Sequence, residues 1–276
     1  MRLLRLTVAL LALAARRVDA QKTPIRVLVV TATQGFRHTE AIVESTKRLS
    51  EVQAAKEFVF DFTEDPTALN KANLAKYDVL FLNSSTLAIA LDNPNDSAAR
   101  AAAKWPAQGV VVNPITTEQQ NAIASFVRDG RGLVAVHAGV DAFYGWQEFR
   151  EIVGGGLFKN HPYTREARVT IEDPKNPAVA HLAPSVMLKE EFYYLDANPR
   201  PNSHVVASLD LASVGDTTKT DHPLVYIKRY GKGRVYVNVL GHFAETWRRD
   251  DYLTSVLQGI RIAAGRIPAD FSTPPR

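Results

Sequence analysis

Three histidines each follow a predicted buried strand, which is where α/β proteins place reactive side chains. His38 comes after the first apolar run, His137 ends a later run and His242 follows the last one. Ligands of open α/β sheets bind beyond the carboxyl ends of the strands, so we expect the three imidazoles to converge there. Imidazoles transfer protons and bind first-row metals. Packing of a core requires no such set, and the pattern therefore indicates a functional site.

His137 lies between small residues in segment 132–139, which predicts a buried strand followed by a sharp turn. Hydrolases and amidotransferases carry Ser or Cys at such a turn. The chain has no Cys, which excludes cysteine catalysis, and no Ser lies in a Gly-x-Ser-x-Gly sequence. We therefore predict that His137 is catalytic, as a base or as a metal ligand.

Carboxyl and aromatic side chains supply further candidates. In a strand, Glu191 and Tyr193 share one face and Glu190 faces the other, so only one of the two acids can point into the site. We favour Glu191 as the catalytic acid or base, with Glu190 as the alternative if the register differs. Asp141 and Tyr144, in the turn after His137, are candidates to orient it or to bind substrate.

Three other histidines and one tryptophan have simpler interpretations. Trp146 is either a platform on which a ligand stacks or a core aromatic, and the core is favoured. His181, His204 and His222 lie in polar segments, where a solvated role is expected.

The positions of the apolar runs predict an α/β fold. Short β-branched runs at 25–30, 58–62, 79–82 and 133–136 alternate with helical patterns such as 40–50 and the segment that begins at Thr117. Closely spaced strands then follow at 167–171, 192–195, 205–209, 224–230 and 235–240, before a last helix at 252–263. We predict a flavodoxin-like, mostly parallel sheet flanked by helices, with an antiparallel C-terminal extension.

The amino terminus resembles a secretory signal. Arg2 and Arg5 precede the apolar run 6–15, and small residues follow at 18–20, so residues 1–20 are predicted to be a signal peptide and the protein to be exported to the periplasm or beyond. This segment holds four Arg and one Asp; without it the 33 basic and 29 acidic residues become 29 and 28. A mature surface so close to neutral argues against nucleic-acid binding. After cleavage no stable membrane insertion is expected.

The rest of the chain is predicted to form one domain over residues 21–266, with a loosely attached tail at 267–276. Asn, Asp, Pro and Ala crowd the segment at about 88–113, which we interpret as an insertion. Gly154–Gly156 lacks the strand, helix and Lys-Ser/Thr of a phosphate loop, so no nucleotide cofactor is expected. The sequence also permits a homo-oligomer.

A family resemblance adds to these observations. The chain resembles the ThuA-like family, named for trehalose utilisation, through the ordered motifs Gly35-Phe-Arg-His38, Tyr77-Asp-Val-Leu80, Val136-His-Ala138, Phe158-Lys-Asn-His-Pro162, Glu190-Glu-Phe-Tyr193, Gly231-Lys-Gly-Arg-Val235 and Gly241-His242. The family is related to class I glutamine amidotransferases, with the cysteine of the sharp turn replaced, as His137 replaces it here. The insertion departs from the compact family pattern, so the substrate mouth is expected to differ.

The resemblance implies an enzyme of carbohydrate metabolism that cleaves glycosides oxidised at C3 by a partner sugar 3-dehydrogenase. It also implies a divalent metal, Zn or another first-row ion, for which His38, His161 and His242 are the candidate ligands. His137 and Glu191 are then expected in proton transfer, and Asp141, Tyr144 and Tyr193 in substrate binding. The alternative is a sugar-binding or scaffold protein without catalysis, because a fold alone does not establish activity.

Overall fold

The computed structural model describes residues 23–106, 111–218 and 220–273. The predicted signal peptide at 1–20 lies outside the described residues. Among the residues that are described, no helix combines the length and the apolar character needed to cross a bilayer.

A nine-stranded mixed sheet forms the centre of the protein, in the order β2-β1-β3-β4-β9-β8-β7-β5-β6. The five strands at one end are all parallel: β1 Ile25–Val30, β2 Phe58–Thr63, β3 Val79–Asn83, β4 Gly132–Val136 and β9 Gly233–Asn238. In β3 and β4 every residue is buried, because helices cover both faces of a parallel sheet. The carboxyl ends of these strands therefore share one edge.

The other four strands pair antiparallel, and they are longer on average: β5 Phe158–Ile171, β6 Ser185–Leu195, β7 His204–Leu209 and β8 Pro223–Tyr230. The α/β class is confirmed, but the prediction of a mostly parallel sheet is wrong, since four of the eight strand pairings are antiparallel. The first half of β5 is mostly exposed and polar. It therefore lacks the apolar signal that marks a buried strand.

Helices complete the layers: α1 Thr39–Val52, α2 Lys71–Leu74, α3 Ser97–Ala102, α4 Thr117–Arg128, α5 Gln147–Ile152, α6 Ala244–Arg248 and α7 Asp250–Ala263. α4 begins where the sequence predicts, because the Thr116 hydroxyl and the Gln119 side chain cap each other's backbone N–H groups. α7 packs on β4 and β9 and buries Val256, Ile260 and Ile262. α7 thus covers one face of these two parallel strands.

The insertion at about 88–113 contains α3 and is anchored at both ends. The indole of Trp105, itself buried, donates to the Ile89 carbonyl at 3.0 Å. The Gln34 amide donates to the Asn113 carbonyl at 2.8 Å and accepts from the Ala88 N–H at 2.7 Å. The insertion thus packs against the loop that follows β1.

The carboxyl-terminal segment is attached more firmly than the sequence predicts. Phe271 packs against the core, and the Arg229 guanidinium lies 4.6 Å from the centre of its ring. One ring nitrogen of His204 lies 2.5 Å from the Ser272 carbonyl and the other lies 2.9 Å from Asp173. The tail therefore makes side-chain contacts with the core as far as the structure describes it, and a composition rich in Pro and Ser does not reveal them.

Candidate metal and catalytic site

His137 occupies the sharp turn that the sequence predicts. Its backbone φ is +48°, and a short 3-10 turn, His137–Val140, follows β4 directly. A Cβ at Gly139 would lie 2.4 Å from the Leu82 carbonyl oxygen, so only glycine allows the chain to pass there. The imidazole is completely buried, and its Nδ1 lies 3.1 Å from the Val239 carbonyl. Since a carbonyl only accepts, Nδ1 carries the proton and Nε2 presents its lone pair.

The other two strand-end histidines converge on His137. Nδ1 of His242 lies 3.1 Å from Nε2 of His137, and the ring of His38 stands edge-on to the rings of both, at 4.5 and 5.1 Å between centroids. His242 is placed by Gly241, whose φ is +111° and where a Cβ would lie 2.3 Å from the Tyr252 hydroxyl. The expected convergence at the carboxyl edge of the parallel strands is therefore observed.

Glu191 reaches the same point from the antiparallel half of the sheet. Its Oε2 lies 3.0 Å from His242 Nδ1 and 3.4 Å from His137 Nε2. Burial by itself raises the pKa of Glu191, but its contacts with His137 and His242 outweigh burial and hold this pKa far below its usual range. Glu191 is therefore a carboxylate at neutral pH.

These four side chains have the composition of a metal site. One ligand atom from each of His38, His137, Glu191 and His242 lies within 4.8 Å of the others. Burial and the neighbouring His137 and His242 lower the pKa of His38 to about 3, so its ring is neutral and can donate a lone pair. Its buried Nδ1 has no hydrogen-bond partner among the described residues.

Three imidazole nitrogens and one carboxylate oxygen suit Zn or another first-row divalent ion. The hydrogen bond from His137 to a backbone carbonyl is the kind of contact that orients a metal-bound histidine. The residues present therefore fit the metal that the family resemblance implies.

The group of four that could hold a metal overlaps only in part with the candidate ligands His38, His161 and His242. His161 is not in the group of four; its Nδ1 lies 3.2 Å from Oε1 of Glu191, the oxygen that faces away from the other histidines. The β5 strand is irregular on both sides of residue 160, which leaves the His161 side chain 45% exposed at the open side of the site. The group contains His137, which the sequence predicts to be catalytic, and does not contain His161.

Glu190 lies on the opposite face of β6, as strand alternation predicts, and has a structural contact that the sequence does not indicate. It is completely buried and accepts hydrogen bonds from the backbone N–H groups of Gly241 and His242, both at 3.1 Å, and from the Thr246 hydroxyl. Burial raises the pKa of Glu190, and the hydrogen bonds from these donors oppose the rise. Glu190 therefore fixes the loop that carries His242.

Tyr193, Asp141 and Tyr144 line the surroundings of the cluster. The Tyr193 ring packs on His137 at 4.2 Å, and burial raises its pKa well above 10, so its hydroxyl stays protonated. The Tyr144 hydroxyl lies 2.6 Å from Asp141 Oδ1, to which it donates, and 2.8 Å from the Phe158 carbonyl oxygen. Burial raises the pKa of Asp141, while the bond from Tyr144 lowers it. All three predicted substrate-binding residues are thus near the site.

The remaining aromatic and histidine side chains near the site differ in how far they are buried. Trp146 is buried and stacks on Phe149 at 5.6 Å, so the core interpretation is correct. Phe36, which the sequence did not single out, is 68% exposed and stands edge-on to His38 at 4.8 Å. The signal in the sequence is an aromatic residue two positions before His38, and this spacing could have identified Phe36 as a candidate. His204 and His222 are buried rather than solvated.

A mixed-sheet α/β protein with a His₃–carboxylate cluster at the carboxyl edge of its parallel strands is the class that this fold and site define. The ThuA family model, described as trehalose utilisation, matches residues 26–263, and the chain belongs to that family.

Solved structures agree with this assignment at the level of the fold. The chain is similar to a putative ThuA-like protein from Bacteroides uniformis, with a TM-score of 0.67, 19% identity and coverage of 89% of this chain and 94% of that one. It is also similar to a putative ThuA-like protein from Parabacteroides merdae, with a TM-score of 0.62, 22% identity and coverage of 91% and 95%. No curated protein matches the sequence.

Proposed function

We propose that this ThuA-family protein is an exported enzyme that cleaves 3-keto-glycosides by removing the proton at C2, with elimination of the group at C1. The observation that carries the proposal is the convergence of His38, His137, Glu191 and His242 on one point, with His161 beside them. The strand order β2-β1-β3-β4-β9 supports a flavodoxin-like, amidotransferase-related arrangement of the parallel half.

The reaction needs stabilisation of negative charge, a base and an acid. A ketone at C3 acidifies the C2 proton; its removal places the electrons in an enolate, which then expels the C1 oxygen with its bonding pair. A divalent ion bound by His38, His137, Glu191 and His242 would supply the Lewis acid that stabilises charge at the C3 oxygen. Addition of water to the unsaturated sugar would make the net reaction a hydrolysis.

The proton-transfer role belongs to His161 in this proposal, supported by Glu191. Oε1 of Glu191 accepts from Nδ1 of His161, which leaves Nε2 of that ring unprotonated and able to take a proton. The same carboxylate faces His137 and His242 with its other oxygen. A carboxylate that fixes the tautomer of a catalytic histidine is a general arrangement in enzymes. The partial exposure of His161 gives a substrate access to it.

Turnover of defined substrates tests the proposal. Purified protein, treated with chelator and then reloaded with Zn, Mn or Co, is incubated with methyl 3-keto-α-glucoside and with 3-keto-trehalose, and products are followed by mass spectrometry. We expect cleavage with at least one metal and none in chelator. Binding of these sugars without cleavage under any metal would instead favour the sugar-binding or scaffold alternative.

Export and supply of substrate complete the proposal. The sequence of residues 1–20 supports export, and a sugar 3-dehydrogenase would supply the ketone. Fractionation of cells that express the full chain, with amino-terminal sequencing of the recovered protein, tests export. A mature protein that begins near residue 21 is the expected result, and an intact cytosolic chain would contradict it.

A further inference from the structure

A cleft beside the metal-binding cluster is walled by the insertion. Its lining includes Gln34, Leu87, Ala103, Lys104, Asp141 and Tyr144. Lys104 and Ala103 come from the insertion, and Asp141 and Tyr144 come from the segment after His137. Two parts of the chain that are distant in sequence therefore form one concave surface next to the cluster.

The insertion is packed firmly enough to form a wall. A Cβ at Gly145 would lie 3.3 Å from the Ile89 side chain and 3.7 Å from Ala103, so the insertion lies directly on the turn after His137. The buried Trp105, next to Lys104, is held by its bond to the Ile89 carbonyl. Lys104 itself has a φ of +51°, a backbone conformation that turns its side chain out of the helical path.

The cleft contains both a hydrogen-bond donor and a hydrogen-bond acceptor. The Lys104 ammonium donates to the Phe158 carbonyl at 3.1 Å and lies 3.6 Å above the centre of the Tyr144 ring. An ammonium has three N–H groups, so donors remain for a ligand. Asp141 accepts from Tyr144 through Oδ1, and its Oδ2 has no partner among the described residues. A donor and an acceptor are thus both available to hydroxyl groups.

The cleft adjoins the cluster through a continuous set of contacts. Asp141 interacts electrostatically with both His137 and Glu191. The Phe158 ring, beside Lys104, packs on Tyr193 at 4.2 Å, and Tyr193 packs on His137 at the same distance. Asp141, which lines the cleft, and Tyr193, which packs on His137, thus link the cleft to the cluster.

We propose that this cleft is a subsite for a second sugar ring, in which Lys104 and Asp141 select a polyhydroxylated leaving group. The inference rests on the proposed function for the position of the first ring. The Lys104 ammonium donates to one hydroxyl of the second ring, and the Asp141 carboxylate accepts from an adjacent hydroxyl of the same ring. The subsite is a property of this chain's insertion, since it is the insertion that supplies Lys104.

Equilibrium binding tests the subsite without requiring turnover. The probes are trehalose and methyl α-glucoside, which share one glucosyl ring and differ by the second ring. Their dissociation constants are measured by isothermal titration calorimetry for the wild type, Lys104→Met, Asp141→Asn and the control Lys71→Met. Methionine keeps the apolar stem of the lysine, and asparagine keeps an oxygen that accepts from Tyr144.

We expect the wild type to bind trehalose more tightly than methyl α-glucoside. Lys104→Met and Asp141→Asn should each weaken trehalose binding about tenfold relative to methyl α-glucoside, as expected for a hydrogen bond to a charged group, and Lys71→Met should behave as the wild type does. Equal wild-type affinities for the two sugars, or equal weakening of both by Lys104→Met, would overturn the subsite. Selective binding without cleavage of the keto derivatives would refute the proposed function and leave the subsite standing.

Discussion

The parallel and antiparallel halves of the sheet contribute differently to the site. The parallel half supplies His38, His137 and His242, each at the carboxyl end of a strand, where the fold itself places them. The antiparallel half supplies Glu191 and His161 from the interior of long strands, with no topological rule that requires them there. The three imidazoles of the candidate metal site therefore come from the parallel half, and its carboxylate and the proposed proton-transfer group His161 come from the antiparallel half.

Their environments differ in the same way. His137 is completely buried and fixed by a backbone carbonyl, whereas His161 is half-exposed, contacts the Glu191 carboxylate and stacks on the Phe158 ring. A buried neutral imidazole suits a permanent ligand, and an accessible one suits proton exchange with substrate or solvent. Substitutions in the two halves should therefore have separable effects on metal content and on turnover.

The largest effect is expected for His137→Asn, in the parallel half. Asparagine tolerates a positive φ, but its amide oxygen is a poor substitute for an imidazole ligand. We expect a loss of metal affinity greater than the ~10- to 100-fold cost of removing a hydrogen-bond partner of a ligand, together with loss of turnover. Metal content after reloading and dialysis measures it, with His181→Asn as the control. Full metal content in His137→Asn would contradict the division between the halves.

The next effect is expected for His161→Gln, in the antiparallel half. Removing a general acid or base lowers turnover by about 100-fold or more. Metal affinity should stay close to that of the wild type, because His161 lies outside the group of four. Steady-state kinetics and metal titration on the same preparation check both statements. A loss of metal parallel to the loss of turnover would make His161 a ligand, as the sequence first suggested.

The site residues of the parallel half are more predictable from the sequence than those of the antiparallel half. The strand ends at His38, His137 and His242 could be located because short buried runs and the βαβ rule together specify one edge. The alternation at Glu190 and Glu191 also gave the correct face. In contrast, the position of His161 depends on a local irregularity in β5, and the hydrogen bonds of Glu190 depend on a loop 50 residues away. Neither leaves a periodic signal in the sequence.

The buried histidines of the antiparallel half show the same limit. His222 was expected in solvent because polar residues surround it in sequence, yet it is buried and its Nε2 donates to the Tyr193 carbonyl at 2.9 Å. His222 precedes β8, and the pairing of β8 with β7 places this segment beside β7 and close to β6. These strands are distant from His222 in the sequence, so its sequence neighbours do not predict its burial.

A smaller effect is expected for Glu190→Gln, which links the two halves. The carboxylate accepts from three backbone N–H groups and the Thr246 hydroxyl, and an amide would turn N–H groups toward some of these donors. We expect unfolding free energy to fall by about 1–3 kcal/mol and metal affinity to fall about tenfold through displacement of His242. Denaturant unfolding of the metal-free protein and metal titration separate the two, with Glu166→Gln as the control. Unchanged metal affinity would show that His242 does not depend on this contact.

The last effect concerns stability alone and is a pH dependence that His222, in the antiparallel half, gives to the folded protein. Burial lowers the pKa of His222 from 6.5 to about 4. Between these values the unfolded chain binds a proton that the folded chain does not, so stability is lost as the pH falls from about 6.5 toward 4, by up to about 3 kcal/mol.

His222→Gln, which keeps a donor for the Tyr193 carbonyl, should reduce the difference in unfolding free energy between neutral pH and pH near 4. Urea unfolding in chelator measures it, with His181→Gln as the control, so that any acid sensitivity of the ligand cluster is common to all three proteins. An identical pH dependence in His222→Gln and the wild type would show that His222 is not the source of acid instability, and would leave His38 as the other histidine whose pKa burial lowers.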